Sequence, residues 1–274
     1  MRIRYAVSTM VFWGQEHGLS FEQECRFLKS LGFGVELWPN IKGQSECRYQ
    51  RRNWPRLAAA TKGMLVAMRS RDDKPTLAQW QEQIECAKML HANIVADLPS
   101  LGINNGMEDN RPCQVRGPDF GVDGFLAEVV ELAGQNNVKL CVETGRLPVL
   151  KKLGERFDSI WYCLDTGCVN IDGEFSFKQY VDHLAPRVAH LHLTDNFGRT
   201  DDHGPPGLPG GISHENWEYL LNVLSKYNNE VVGSFEICPC SPAVMMRQAS
   251  RFLFDVMKWP GRPRPDRPDA ADAM

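Results

Sequence analysis

The regular alternation of short apolar runs with longer amphipathic runs constrains this chain more than any other feature. A strand alternates its side chains between two faces, whereas a helix repeats its apolar residues every three or four positions. Runs of the first kind predict strands at residues 4–10, 35–38, 64–68, 93–98, 139–143, 160–165, 188–194 and 230–237. Runs of the second kind predict helices at residues 21–31, 51–61, 77–90, 124–136, 147–156, 177–184, 214–227 and 242–257.

Strict alternation of strand and helix predicts a parallel sheet with right-handed crossovers. Eight such pairs favour closure into a barrel, and 274 residues match the size of about 250 residues that is typical of these barrels. The chain has no G-x-G-x-x-G after its first strand and no P-loop, the phosphate-binding signatures of open α/β sheets. We therefore predict an α/β fold, a (β/α)8 TIM barrel as a single domain over residues 1–259. Residues 260–274 are rich in Pro, Arg and Asp and are predicted to form a disordered tail.

Composition argues against several classes of partner. The formal net charge of −3 lacks the basic footprint that nucleic-acid binding normally leaves. No run of about 18 uncharged apolar residues and no secretory h-region is present, so we expect no membrane segment. Nine cysteines without framework spacing indicate a reducing compartment. We expect a soluble, cytoplasmic protein that has neither nucleic acid nor a membrane as its partner.

Polar side chains end four consecutive predicted strands. Glu143 and Asp165 end the fifth and sixth strands, His192 lies near the end of the seventh, and Glu236 near the end of the eighth. A carboxylate that ends an apolar strand is costly to desolvate and needs a partner. Because barrel strands bring their carboxyl ends to the face where active sites are built, this series indicates a shared divalent cation.

Several short motifs follow one another on these strands. They are Val-Glu-Leu-Trp at 35–38, Glu143, Leu-Asp-Thr-Gly at 164–167, His-Leu-Thr-Asp at 192–195, a Pro-Pro-Gly…Gly-Gly loop before Trp217, and Phe-Glu at 235–236. In this order, over residues 4–257, the chain resembles the xylose isomerase-like TIM-barrel superfamily. That group includes sugar isomerases, 3-epimerases of the D-tagatose/D-psicose type, inosose dehydratases and apurinic-site endonucleases.

The resemblance implies one divalent metal held by four residues, two of which also transfer protons. Three oxygens and one imidazole suit Mn²⁺, Mg²⁺, Co²⁺ or Zn²⁺ alike. The implied ligands are Glu143, Asp165, His192 and Glu236, with Glu143 and Glu236 as the acid/base pair.

Such a site suits proton transfer next to a carbonyl. A metal that chelates the carbonyl and the adjacent hydroxyl of a keto sugar stabilises the enediolate that forms when a carboxylate removes the α-proton. A second carboxylate can return the proton. The expected function is a divalent-metal-dependent isomerase or epimerase acting on a sugar, keto sugar or inosose, with a dehydratase as a variant. Its partner would be a small sugar or polyol, and the relatives imply a homodimer or homotetramer.

Two departures from the family pattern keep alternatives open. Cys168 stands where sugar-active and endonuclease relatives commonly have a histidine. Arg69 and Asp97 end the third and fourth strands, where the endonucleases place histidines. The alternatives are a metal-dependent, endonuclease-like hydrolase, which would need more than one metal, and a non-catalytic metal-binding barrel.

Further side chains near strand ends are candidates for substrate contact, each with a plainer explanation. Aromatic faces suit the C–H faces of polyols, but they equally suit core packing. An arginine suits an anionic group on the substrate, but it equally forms a structural salt bridge, with Asp97 or Glu143 here. The cysteine could be a structural thiol. The candidates are His203, Trp13, Trp38, Glu36, Arg69 and Cys168.

Overall fold

Eight parallel strands close into a barrel in the computed structural model, which describes residues 1–13, 19–40, 47–71, 75–103, 107–108, 111–112, 123–238 and 242–261. Each strand is hydrogen-bonded to the next along the chain, and the last is bonded to the first. The predicted single-domain (β/α)8 barrel is confirmed. The strands are β1 Arg2–Ser8, β2 Gly34–Leu37, β3 Val66–Arg69, β4 Asn93–Ala96, β5 Leu140–Glu143, β6 Trp161–Asp165, β7 Val188–His192 and β8 Glu230–Phe235.

The predicted helices are present between the strands, and one further helix was not predicted. They are α1 Phe21–Ser30, α2 Trp54–Ala60, α3 Leu77–Leu90, α4 Asp123–Gln135, α5 Leu147–Arg156, α6 Thr166–Ile171, α7 Phe177–Leu184, α8 His214–Tyr227 and α9 Pro242–Ser250. The helix predicted at 242–257 is divided into α9 and a π-helical segment, Arg251–Val256. Helix α6 has only six residues, too few for a 3.6-residue period to be visible in the sequence. No described helix combines the length and the apolar character needed to cross a membrane.

The strand register assigns unusual residues to the barrel lumen. Paired residues of neighbouring parallel strands point to the same side of a sheet. Cys163 pairs with His190, and Asp165 pairs with His192. Ser234 of β8 pairs with His192 from the other side. The lumen of such barrels is normally filled by branched aliphatic side chains, whereas here polar and titratable side chains occupy its upper part.

The segment after β4 and the predicted tail are only partly described. Most of residues 100–121 lies outside the described residues, apart from 100–103 and a two-stranded ladder of Met107–Glu108 with Arg111–Pro112. The Tyr5 hydroxyl donates to the Pro260 carbonyl at 3.0 Å, so the chain still contacts the barrel there. Residues 262–274 lie outside the described residues, and their disorder stays a prediction.

The N-terminal cap of α3 gives a local test of how the sequence specifies the helices. Thr76 accepts a hydrogen bond from the Gln79 N–H, and the Gln79 side chain accepts one from the Thr76 N–H at 2.8 Å. We expect Thr76→Ala to lower the free energy of unfolding by about 1 kcal/mol, because a backbone donor loses its acceptor. Urea denaturation measures this. Ser225→Ala is the control: Ser225 is exposed within α8 and bonds only the Leu221 carbonyl, so an equal loss there would contradict the capping explanation.

Candidate metal centre

Three carboxylates converge on one nitrogen of His192 at the carboxyl ends of β5 to β8. His192 Nδ1 lies 2.8 Å from Glu143 Oε1, 3.0 Å from Glu236 Oε2 and 3.6 Å from Asp165 Oδ2. One ligand atom from each of the four residues lies within 4.8 Å of the others. All four residues are buried. The predicted ligands from four strands therefore form one group that could hold a metal ion.

The contacts at His192 Nδ1 fit a cation better than a hydrogen bond. An imidazole nitrogen carries at most one proton and can serve one acceptor well, yet three carboxylates surround this atom. Within the described residues, neither His192 Nδ1 nor Glu236 Oε1 has a hydrogen-bond partner. Neighbouring ligands of an octahedral ion with bonds of about 2.1 Å lie about 3 Å apart, which is close to the two shorter contacts. The donor set therefore fits a divalent ion.

Arg69, at the end of β3, binds Glu143 through its two terminal guanidinium nitrogens. Arg69 Nη1 donates to Glu143 Oε1, and Nη2 donates to Glu143 Oε2 at 2.6 Å. Burial by itself would raise the pKa of Glu143, but the charge of Arg69 and the contact with His192 hold that pKa well below its ordinary value. The plainer explanation for Arg69, a salt bridge with Glu143, is thus what the structure contains. Asp97 instead accepts a hydrogen bond from the Ser100 N–H at 2.8 Å.

Asp165 is oriented by the helix that follows it. Its Oδ1 accepts hydrogen bonds from Gly167 N at 2.8 Å, Cys168 N at 3.0 Å and Thr194 Oγ1 at 2.9 Å. These bonds make Asp165 the N-cap of α6 and leave Oδ2 directed towards His192. A Cβ atom at position 167 would lie only 2.4 Å from Thr194 Oγ1, so a glycine is required for this close approach.

Glu36 lies in the lumen beneath His192, with no exposed surface. Its carboxylate is 2.8 Å from His190 Nε2 and 3.2 Å from His192 Nε2. Burial by itself would raise the pKa of Glu36, but the two imidazoles lower it well below its ordinary value. Burial lowers the pKa of His190. Glu36 therefore contacts two histidines from below and does not line the mouth of the barrel.

The loop after β7 is fastened to the barrel beside the four ligands. His203 Nδ1 donates to the Glu236 carbonyl at 3.0 Å, and His203 Nε2 lies 3.2 Å from Asp201 Oδ2. Burial opposes the charged imidazole, but the pairing with Asp201 and the nearby carboxylates raises the pKa of His203 to about 10. Both ring nitrogens are thus engaged, and His203 offers none to a metal in this arrangement.

The remaining candidates lie around the mouth. The half-buried rings of Trp13 and Trp38 meet edge to face at 4.7 Å, and the Arg69 guanidinium lies 5.2 Å from the Trp38 ring. Trp38 Nε1 donates to Ser8 Oγ at 2.7 Å, so the orientation of this ring is fixed. Burial raises the pKa of the Cys168 thiol well above its ordinary value, and the nearby carboxylates add to this, which agrees with a structural thiol.

Sequence reasoning missed the most extensively bonded carboxylate near the site. Asp195 Oδ1 accepts from Ile212 N and Asn196 N, both at 2.8 Å, and Oδ2 accepts from Gly207 N at 2.9 Å and Leu208 N at 3.1 Å. The sequence feature that could have identified Asp195 is its place between a buried strand and a Gly-Pro-rich loop, since such loops present unpaired N–H groups. Asp195 shapes the loop that carries Asp201 and His203.

Fold and site together define a (β/α)8 barrel with a four-residue group at its carboxyl-end face that could hold a metal ion. No family model and no curated protein matches the chain. Solved structures do match it. They show that the chain shares the barrel fold of xylose isomerase-like proteins.

Three solved structures illustrate this similarity. D-psicose 3-epimerase of Clostridium cellulolyticum H10, with D-tagatose, aligns at 16% identity and TM-score 0.58, covering 84% of each chain. A xylose isomerase domain protein of Planctomyces limnophilus aligns at 13% identity and TM-score 0.55, covering 93% of this chain and 96% of that one. A Sinorhizobium meliloti 1021 protein aligns at 12% identity and TM-score 0.59, covering 94% and 98%. Among the neighbours of this fold are thus a sugar epimerase and a xylose isomerase-like protein.

Proposed function

We propose that the protein is a divalent-metal-dependent isomerase or epimerase that acts on a sugar, keto sugar or inosose. The observation that carries the proposal is the convergence of three carboxylates on His192 Nδ1 at the catalytic face of the barrel. The similarity in fold to a sugar epimerase supports it. Glu143, Asp165, His192 and Glu236 would hold the ion.

A divalent ion held by these residues would supply Lewis-acid chemistry, polarising the substrate carbonyl and lowering the cost of removing the neighbouring proton. The two glutamates differ in what they can do next. Glu143 has both oxygens on Arg69, whereas Glu236 Oε1 has no partner within the described chain. We therefore assign the first proton abstraction to Glu236 Oε1. In an epimerase Glu143, which its pairing with Arg69 keeps ionised, would first take up a proton from solvent and then donate it to the opposite face of the substrate. In an isomerase Glu143 would serve as a ligand.

Substrate contacts are proposed for the residues around the mouth. Trp13 and Trp38 present ring faces of the kind that suit the C–H faces of a polyol. Asp201 is half-buried, with 7% of its side chain exposed, and its Oδ1 has no partner among the described residues, so it would accept a hydrogen bond from a substrate hydroxyl. Cys168 is half-buried, and its backbone N–H donates to Asp165 Oδ1 at 3.0 Å. His203 would act by holding Asp201 in place.

The hydrolase alternative requires more metal ligands than the described residues of the mouth provide. Asp201 and His203 pair with each other, and the second ring nitrogen of His203 bonds the Glu236 carbonyl. At the mouth of the described barrel, one group of side chains has the spacing of metal ligands. This favours a single metal and, with it, proton transfer over hydrolysis by metal-activated water.

Metal content tests the proposal directly. We expect wild-type protein, reconstituted with Mn²⁺ and desalted, to hold one equivalent by native mass spectrometry, and His192→Ala to lose it, because the variant removes the nitrogen on which the carboxylates converge. His183→Ala, which changes an exposed histidine of α7, is the control and should retain the metal. Two or three equivalents that persist in Cys163→Ser, a variant of the interior cluster of Cys163, His190 and His192, would favour the hydrolase. If the protein held no metal after reconstitution, metal dependence would be excluded.

The substrate class is tested with the metal-loaded protein. A panel of ketoses and inososes is incubated in D₂O, and incorporation of deuterium next to the carbonyl is followed by proton NMR. Exchange with at least one member is the expected outcome. One bound metal without exchange, and without any rise in melting temperature on adding the panel, would instead support the non-catalytic metal-binding barrel.

A further inference from the structure

Glu36 reaches across the barrel lumen from β2 to two histidines of β7. The two strands are not neighbours in the barrel, yet the Glu36 carboxylate lies 2.8 Å from His190 Nε2 and 3.2 Å from His192 Nε2. All three side chains have 0% exposure. The two rings meet edge to face at 5.4 Å. This buried carboxylate and its two imidazoles lie directly below the proposed metal centre.

The two nitrogens of His192 face different surroundings. Nδ1 faces the three carboxylates of the metal centre, and Nε2 has hydrogen-bond geometry to Glu36. A neutral imidazole carries its proton on one nitrogen and a lone pair on the other, and only the lone pair binds a metal. Since Glu36 is a pure acceptor when ionised, its bond to Nε2 requires the proton to be on Nε2.

We propose that Glu36 is a positioning residue, which holds a proton on His192 Nε2 and so directs the Nδ1 lone pair towards the metal centre. His190 supports the arrangement by contacting the same carboxylate. The inference rests on the proposed metal-dependent function, because it concerns how His192 is oriented and protonated to bind the metal. It goes further because it gives Glu36, which the sequence predicted as a candidate for substrate contact, a role in orienting His192 instead.

The position of the proton can be measured in the wild-type protein. Long-range ¹⁵N–¹H NMR on histidine-labelled protein distinguishes protonated from unprotonated ring nitrogens, and His190→Gln and His192→Gln assign the signals. We expect a proton on His192 Nε2 in both metal-free and Mg²⁺-loaded protein, and an unprotonated Nδ1 in the loaded form. An unprotonated Nε2 in the wild type would overturn the proposal. The metal-free measurement gives this answer even if no metal binds, so it separates failure of this inference from failure of the proposed function.

The consequence for the metal is measured by titrating Mn²⁺ calorimetrically into metal-free protein. We expect Glu36→Gln to weaken binding by about 10- to 100-fold, the range typical of partners that orient a ligating histidine. The glutamine amide keeps the size of the side chain but cannot accept from both imidazoles. An unchanged dissociation constant together with an unchanged Nε2 proton would overturn the proposal.

Glu24→Gln is the matched control. Glu24 is also a buried carboxylate, with 1% exposure, but it pairs with Arg48 beneath α1. Glu24→Gln should change stability while leaving the Mn²⁺ affinity and the His192 signals unaltered.

The contrary explanation is an interior metal held by Cys163, His190 and His192, whose ligand atoms also lie within 4.8 Å of one another. A second equivalent that disappears in Cys163→Ser would establish that explanation and reject ours.

Discussion

Glu236→Gln is expected to lower turnover by about 10²- to 10⁴-fold, the usual contribution of a side chain that transfers a proton in the transition state. Glutamine keeps a carbonyl oxygen at the metal centre but cannot take up a proton at pH 7. The exposed part of Glu236 amounts to 1%, so it would act on a substrate shielded from bulk water. The measurement is the rate of deuterium exchange into whichever ketose or inosose proves active, with saturating Mn²⁺.

Glu230→Gln is the control for that experiment. Glu230 begins β8, the strand that leads to Glu236, and therefore lies at the opposite end of the barrel. It is exposed and lies 3.4 Å from Arg4, and full activity is expected. If Glu236→Gln kept both its metal and wild-type exchange, the assignment of the proton transfer to Glu236 would be wrong. If Glu236→Gln instead lost its metal, and excess Mn²⁺ restored both the metal and the activity, Glu236 would be a metal ligand and not the group that transfers the proton.

Asp195→Ala is expected to have the largest effect on stability, a loss of about 3 kcal/mol in the free energy of unfolding. The Asp195 carboxylate accepts four backbone N–H groups of its own loop, and each buried donor left unpaired costs about 1–3 kcal/mol before water and relaxation recover part of it. The backbone of Asp195 also exchanges two hydrogen bonds with Gly204, both at 2.8 Å. Urea denaturation monitored by circular dichroism measures the loss.

Asp195→Ala is also expected to weaken substrate binding, because the loop that Asp195 holds carries Asp201 and His203 to the mouth of the barrel. Asp202→Ala is the control: Asp202 is an exposed carboxylate of the same loop, and within the described residues its side chain accepts a hydrogen bond from the Thr200 hydroxyl alone. A loss below about 1 kcal/mol for Asp195→Ala, or an equal loss for Asp202→Ala, would show that the four backbone bonds are not what holds the loop.

Residue patterns near the strand ends predicted all four proposed metal ligands. The ends of β5, β6 and β7 are Glu143, Asp165 and His192, and Glu236 follows β8. Parallel strands of a barrel deliver their carboxyl ends to one face whatever the details of packing. A set of polar residues at consecutive strand ends is therefore brought together by topology alone, and local sequence is enough to identify it.

Contacts between distant parts of the chain could not be predicted in the same way. Arg69 had two candidate partners in the sequence, Asp97 and Glu143, and both were chemically reasonable. Their separation along the chain does not distinguish them, because the choice depends on where the long arginine side chain points within the lumen. The structure selects Glu143, 74 residues away.

The sequence by itself determined the number and order of the barrel strands and the four polar strand ends, because each depends on residues within one short segment. Only the tertiary structure decided that Glu36 contacts His192, 156 residues away, and that Asp195 closes a loop through four backbone bonds. A buried carboxylate must find a partner, but which partner depends on distances across the barrel. Those distances exist only after the eight strands have closed.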